Sequence, residues 1–257
     1  MIHIWDHVYG NQNNGIVVCK PMAIPESYEE MEMIDAGWLA LDQKIFYEGR
    51  YQECFFQCRS TRINLKKYKH EKLSKYKGKK IQMMEIRPEQ HNVEMTGLRS
   101  VYQKYLKRNC LPDNNDPFKV ISDRDSFLIY YVQDVTNIIG FTKIKRYWFQ
   151  EELINYNSRK DLARLSPDQC YAVHTVFHAN TIAMEHVAFN MESAWAKKKG
   201  MGEIYLGPGY GKTGIQKSKI PGFQWWTGTE WSSNRKSFEK ICERDSKITK
   251  VKEFDKL

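Results

Sequence analysis

Two histidines, His174 and His178, stand in an apolar run, with Glu185 and His186 close behind. An imidazole titrates near neutrality and can take the proton of a reacting amine; a buried carboxylate can do the same. His174, His178 and Glu185 are therefore candidate general bases, each against the alternative of a structural side chain. The even spacing puts both histidines on one face if they lie in a strand. A second constellation is Gly207-Pro208-Gly209-Tyr210-Gly211, followed by Lys212, Lys217 and Lys219. Glycine amides with nearby ammonium groups suit an anion; the alternative is a solvated loop. The segment is not a nucleotide-binding P-loop, which needs four residues before its Gly-Lys-Thr, whereas three separate Gly207 from Gly211. Cys54 and Cys58, with Cys19, fall within loose metal-ligand spacing, but no fourth ligand is evident and no metal is expected.

Charge points to a polyanionic partner. The 257 residues carry a formal net charge of +9, and from Arg59 to Lys80 ten residues are Lys or Arg while only Glu71 is acidic. Such a run is either a solvated face or a phosphate-contacting surface whose binding falls steeply with salt. Apolar residues make up 41% of the chain, enough for a core. No stretch reaches the roughly 18 apolar residues of a membrane helix. The opening Met1-Ile2-His3-Ile4-Trp5-Asp6-His7 does not read as a signal peptide. The six cysteines are scattered rather than spaced as a disulfide framework. The expectation is a cytoplasmic protein with reduced thiols and no membrane partner.

These groups need elements to hold them. Residues 1–25 read as irregular or short extended structure, rich in turn residues from Gly10 to Gly15. Ser27 can cap a helix with Glu30 as its capping-box partner, Tyr28, Met31 and Ile34 on one face and Gly37 as its stop. Ile45 to Tyr47 and Arg62 to Leu65 read as short strands around a loop holding Cys54 and Cys58. Met95 to Lys107 is an amphipathic helix, with Leu98, Val101, Tyr102, Tyr105 and Leu106 on one face. Phe127–Val132 and Ile138–Ile144 form a hairpin around Asp134-Val135-Thr136-Asn137. A strand from Cys170 to Phe177, a helix from Ala183 to Lys199 and a strand Glu203–Leu206 follow. Hairpin, strand, helix and strand in this order predict a mixed α/β (α+β) fold. It is the chain order of an acetyltransferase-like core. Residues 1–92 would form a smaller amino-terminal module and residues 93–257 the transfer domain.

The order of several segments resembles the arginyl-tRNA–protein transferases and their bacterial leucyl counterparts. Ile34-Asp35-Ala36-Gly37-Trp38, Ile45-Phe46-Tyr47, Cys54 and Cys58, and Arg62 four residues after Cys58 are similar to that family's amino-terminal half. Ser74-Lys75-Tyr76-Lys77-Gly78-Lys79-Lys80 and the helix from Leu98 to Leu106 match its basic stretch and Leu/Tyr-rich helix. Tyr205-Leu206-Gly207, then Lys217, Lys219 and Phe223, match segments of its carboxy-terminal half. The resemblance covers roughly residues 27–110 and 125–226. The chain departs from the family after Gly37-Trp38, where Leu39-Ala40-Leu41-Asp42 replaces Arg-Arg-Ser-Gly, and at Ala179-Asn180, which replaces Asp-Pro.

The resemblance implies aminoacyl transfer from tRNA to an N-terminal amine of a protein or peptide, with arginine the first candidate and leucine the second. Aminoacyl-tRNA would be the co-substrate, and no further cofactor is implied. Because the ester is already activated, such an enzyme must mainly position, deprotonate and stabilise an oxyanion. Arg62, Tyr47, Tyr205, Gly207, Lys212, Lys217 and Lys219 would then bind substrate. Arg62 is equally readable as a surface arginine of the basic run. Lys66, Lys67, Lys75, Lys77, Lys79 and Lys80 would contact tRNA, and Trp225 would stack on its terminal adenosine. Other readings are a peptide-tailoring transferase with one acceptor, a non-catalytic tRNA-binding module and an acyl-CoA N-acetyltransferase. Oligomeric state is left open.

Overall fold

Successive residues of one strand face two different helices, and this alternation organises the molecule. The strand β7 (Asp125–Val132) is buried almost throughout. Phe127 and Ile129 pack with Leu98, Val101 and Leu106 of α2 (Val93–Asn109). Leu128 and Tyr130 pack with Met184, Val187 and Ala188 of α3 (Met184–Lys198). A sheet covered on both faces needs near-continuous apolar strands, and this is the pattern from Phe127 to Val132.

The computed structural model describes residues 3–11, 15–25, 29–47, 50–69, 80–87, 93–109, 113, 116–118, 125–147, 171–178 and 184–247. They form a mixed α/β architecture of two sheets and five helices. The first sheet has the order β1-β2-β4-β3, built from β1 (His3–Asn11), β2 (Gly15–Ile24), β3 (Trp38–Tyr47) and β4 (Arg50–Gln57). Its first hairpin pairs from His3 with Ile24 to Asn11 with Gly15, two long strands where irregular or short extended structure is expected from the sequence. Cys54 lies within β4 and Cys58 just beyond it, rather than both in a loop. The helix α1 (Glu30–Asp35) buries Met31, Met33 and Ile34, and Gly37 ends the turn at φ +83°. The proposed cap Ser27 lies outside the described residues.

The second sheet has eight strands in the order β12-β11-β5-β10-β9-β8-β7-β6. Its other members are β5 (Ser60–Asn64), β6 (Ile81–Ile86), β8 (Ile138–Tyr147), β9 (Tyr171–His178), β10 (Glu203–Pro208), β11 (Phe223–Trp226) and β12 (Trp231–Ser232). Strands β6 to β9 are antiparallel neighbours, and α3 carries the chain from β9 over to the parallel strand β10. Both β5 and β6 precede residue 93, yet they belong to the same sheet as the later strands. α4 (Gly211–Lys217) and α5 (Arg235–Asp245) complete the described elements.

β9 and β10 pair only at Ala172 with Ile204 and Val173 with Tyr205. Beyond these positions β9 runs on to His178, still paired with β8, and β10 runs on to Pro208, still paired with β5. The parallel pair therefore parts midway and leaves a gap in the sheet towards the carboxy ends of both strands.

Candidate functional site

A row of paired residues crosses the sheet at the base of this gap. Gln224 pairs with Arg62, Arg62 with Tyr205, Tyr205 with Val173, Val173 with Lys145 and Lys145 with Asp125. Residues opposite one another in a ladder share a face, so the polar members of this row form one band. At its centre Arg62 is buried, with only 10% of its side chain exposed. Its Nε donates to Gln224 Oε1 at 3.0 Å, and its Nη1 donates to Asp35 Oδ1 at 2.9 Å and Tyr205 Oη at 3.4 Å. The guanidinium lies 4.1 Å from the ring centre of Trp231, whose Nε1 donates to the Asp35 carbonyl at 2.6 Å. Arg62 is thus neither a surface arginine nor an open clamp. Its fork is held in place by three polar partners and an aromatic face. Tyr205 is fully buried, and burial pushes its pKa well above the usual tyrosine range although the Arg62 charge pulls the other way. Its hydroxyl keeps its proton at neutral pH.

The end of β10 is fixed by Lys217. Its ammonium is buried and donates to the carbonyls of Leu206 at 2.5 Å and Pro208 at 2.8 Å. Between these residues Gly207 has φ +78°, and Thr61 Oγ1 donates to its carbonyl at 2.7 Å. The expected Gly-rich loop is in part this strand end and in part α4, so Lys217 holds backbone rather than waiting for an anion. Lys217→Met should retain the stem but leave two carbonyls without their ammonium donor. The expected loss is about 1–3 kcal/mol of stability. Urea unfolding checks it; a variant with unchanged stability would reduce Lys217 to a passive side chain.

A second polar cluster lies on the opposite face, under α3. Glu192 is 2% exposed, and its Oε1 accepts from Thr142 Oγ1 at 2.5 Å and from the Tyr130 hydroxyl. Burial first, and then the Glu192 charge, push the Tyr130 pKa far up. By register His174 stands opposite Ile144 and His178 opposite Gly140 in β8. Their side chains, and that of Glu185 in the first turn of α3, lie outside the described residues. Glu192 is the group that pattern reading passed over. Its signal was a carboxylate in the buried stripe Ala188, Glu192, Ala196.

The remaining candidates separate. Tyr47 pairs with Arg50 at the tip of the β3–β4 hairpin, the end away from Trp38, and its side chain lies outside the described residues. Lys212 is exposed on α4, and Lys219 is exposed beside a groove. Lys66 and Lys67 are exposed in the turn after β5, while Lys75, Lys77 and Lys79 lie outside the described residues. Lys80 is exposed just before β6, whose first residue pairs with Val132. It therefore stands at the other end of the sheet from Lys66, five strand spacings away, about 25 Å. Among the described residues, the two ends of the basic run do not share one surface. Trp225 requires a correction: it is buried, packs on Phe238 with ring centres 5.6 Å apart, and its Nε1 donates to the Asn234 carbonyl at 3.2 Å. It is a core side chain, unable to stack on a base. Among the described residues no group of three His, Cys, Asp or Glu side chains could hold a metal. Among them, too, no helix is long and apolar enough to cross a membrane.

No protein-family model matches the chain, and no curated protein matches it. Among solved structures, it is similar to the C-terminal domain of a protein from Agrobacterium fabrum named as a lysylphosphatidylglycerol synthetase. The identity is 10%, over 81% of this chain and 71% of that one, with a TM-score of 0.43. It is also similar to L-PGS from Bacillus licheniformis, at 10% identity over 93% of this chain and 80% of that one, with a TM-score of 0.43. Likeness at this level does not establish a common fold or activity.

The buried thiols add a chemical boundary. Burial pushes Cys54 up to about 11, Cys58 to about 12 and Cys242 to about 11. All three stay protonated near neutrality and are poor nucleophiles. Native protein at about pH 8 should therefore leave these three unmodified by iodoacetamide, and denatured protein should react fully. Peptide mass spectrometry reads the difference; rapid native alkylation of Cys58 would contradict its burial.

Proposed function

We propose that the chain transfers an aminoacyl group from tRNA to an amine on an acetyltransferase-like sheet. The N-terminus of a protein or peptide is the first acceptor, with arginine the first candidate amino acid and leucine the second. The observation that carries this reading is the parting of β9 and β10 beside Tyr205 and Arg62. Where a parallel pair opens, backbone groups that would have paired across it face a ligand instead. Such a gap offers an extended acyl donor a ready row of donors and acceptors. The chain order of hairpin, strand, crossover helix and parallel strand supports the same fold type.

In the reaction the acceptor amine attacks the ester carbonyl, a carbon–nitrogen bond forms, and the ribose oxygen leaves with a proton. Backbone N–H groups along the gap would stabilise the oxyanion. A base must take the amine proton, and His174, His178 and Glu185 remain the candidates. Arg62 would act on the acceptor from a fixed position, through its remaining Nη2 donors. An acyl-CoA donor is disfavoured. It needs a glycine-rich pyrophosphate cradle between the strand and the helix, and Ala179-Asn180-Thr181-Ile182-Ala183 contains no glycine.

The test offers separately radiolabelled aminoacyl-tRNAs with peptides of varied N-termini, and in parallel with phosphatidylglycerol vesicles. Label on a peptide supports the reading and names both substrates. Label on lipid keeps the donor and moves the acceptor to a hydroxyl. Acetyl transfer from acetyl-CoA, with none from any tRNA, overturns it.

A further inference from the structure

Cations that are distant in sequence converge around the turn that follows β5. Lys66, Lys67 and Lys69 are exposed there. Lys197 Nζ donates to the Tyr68 carbonyl at 2.9 Å, which brings the end of α3, with Lys198, against this turn. Asn64 N donates to the Gly222 carbonyl at 2.9 Å, and a Cβ at Gly222 would stand 3.1 Å from Tyr68 N. That contact seats the connection between α4 and β11 on the same turn. Lys67, Lys219 and Arg235 then line one open groove of about 420 Å³ together with Ser218 and Ser233.

The local counter-charge is limited. Glu239 holds Arg235 at 2.7 Å and also feels the Lys219 charge, Glu203 accepts from Asn64 at 3.5 Å, and Glu85 lies 4.0 Å from Lys199 while also holding Arg146. Lys66, Lys67, Lys69, Lys198, Lys219 and Lys236 make no ion pair among the described residues. The first turn of α5 adds Arg235 and Lys236 with no acidic residue. Cations at a helix start oppose its dipole, a cost that a nearby anion removes. So many like charges around a concave surface are stabilised by a polyanion.

We infer that the turn at 65–69, with the ends of α3 and α4 and the start of α5, binds the phosphate backbone of RNA. On the proposed function, on which this identification of the partner rests, the RNA is the donor tRNA. An anionic membrane fits less well. Interfacial binding needs apolar or aromatic side chains that enter the lipid, whereas Ile220, Phe223 and Trp225 here are buried.

The test uses the full chain and fluorescently labelled, unacylated bulk tRNA, with anisotropy followed from low to moderate salt. Neutralised phosphates steepen the salt dependence by just under one log unit each. Lys67→Glu/Lys198→Glu/Lys219→Glu should weaken binding at least about tenfold and flatten the slope by roughly 2–3. Lys104→Glu, exposed on α2, should leave both unchanged. A triple variant with wild-type affinity and an unaltered thermal melt overturns the surface while leaving the proposed reaction standing. Equal losses from Lys104→Glu overturn it as an effect of net charge. If the wild type binds phosphatidylglycerol vesicles through these lysines and binds no tRNA even at low salt, the partner is lipid, and the tRNA-dependent function falls too.

Discussion

Arg62→Ala is expected to lower the free energy of unfolding by about 2–4 kcal/mol and, on the proposed function, to abolish transfer. A surface arginine in a basic run would leave stability unchanged. The expected loss follows from what Arg62 holds. Asp35 is 52% exposed, so its bond to Arg62 contributes little beyond about 1 kcal/mol. The larger part comes from Gln224 and Tyr205, both buried, which lose a donor and cannot turn to water. The stacking on Trp231 is lost as well. Arg62→Lys keeps the charge but not the planar fork, so it should recover less than half of the stability. Urea unfolding followed by tryptophan fluorescence measures both variants, and transfer assays on the folded fraction separate binding from stability. A cost under about 0.5 kcal/mol for alanine would show that the cluster is not cooperative.

Gly37→Ala should cost about 2–5 kcal/mol, from two separate causes. A non-glycine residue at φ +83° carries roughly 1–2 kcal/mol of strain. A Cβ at this position would also overlap the Trp226 indole, and displacing that ring adds about 1–3 kcal/mol. The damage would spread. Trp226 packs on Trp231 with ring centres 5.5 Å apart, and Trp231 is the face on which Arg62 lies. Gly37 also accepts a hydrogen bond from Ser60 at the start of β5. Denaturant unfolding checks the magnitude, and a loss below about 1 kcal/mol would mean that Trp226 moves aside freely.

The readable parts of the sequence were those with local, strongly periodic apolar patterns. α2, the β7–β8 hairpin and the β9–α3–β10 unit follow the expected bounds within a few residues. Of the first hairpin only its turn and short extended structure were legible, because His3, Asp6 and His7 interrupt any alternation along the strands. α5 was missed for a different reason. Its buried positions are Phe238, Cys242 and Asp245, about one per turn in a run of charges. Arg62 and Tyr205 were singled out by the order of matching segments, yet their surroundings were not visible. Asp35 lies 27 residues before Arg62 and Gln224 162 residues after it. Only the sheet brings them together. Trp225 was misplaced because tryptophan composition does not distinguish a stacking platform from core, which is decided by what covers the ring.

The position of β5 has a consequence for how the chain is made. This strand emerges from the ribosome early, but both of its neighbours, β10 and β11, are synthesised near the other end. Until they arrive its two edges are unpaired, and Ile63 has no core to enter. High contact order slows folding and prolongs exposure of such edges. A carboxy-terminal fragment would meet the converse problem, a sheet with a slot where its fifth strand belongs. Two halves of the chain, split between α2 and β7 and expressed together, should therefore find each other through that slot.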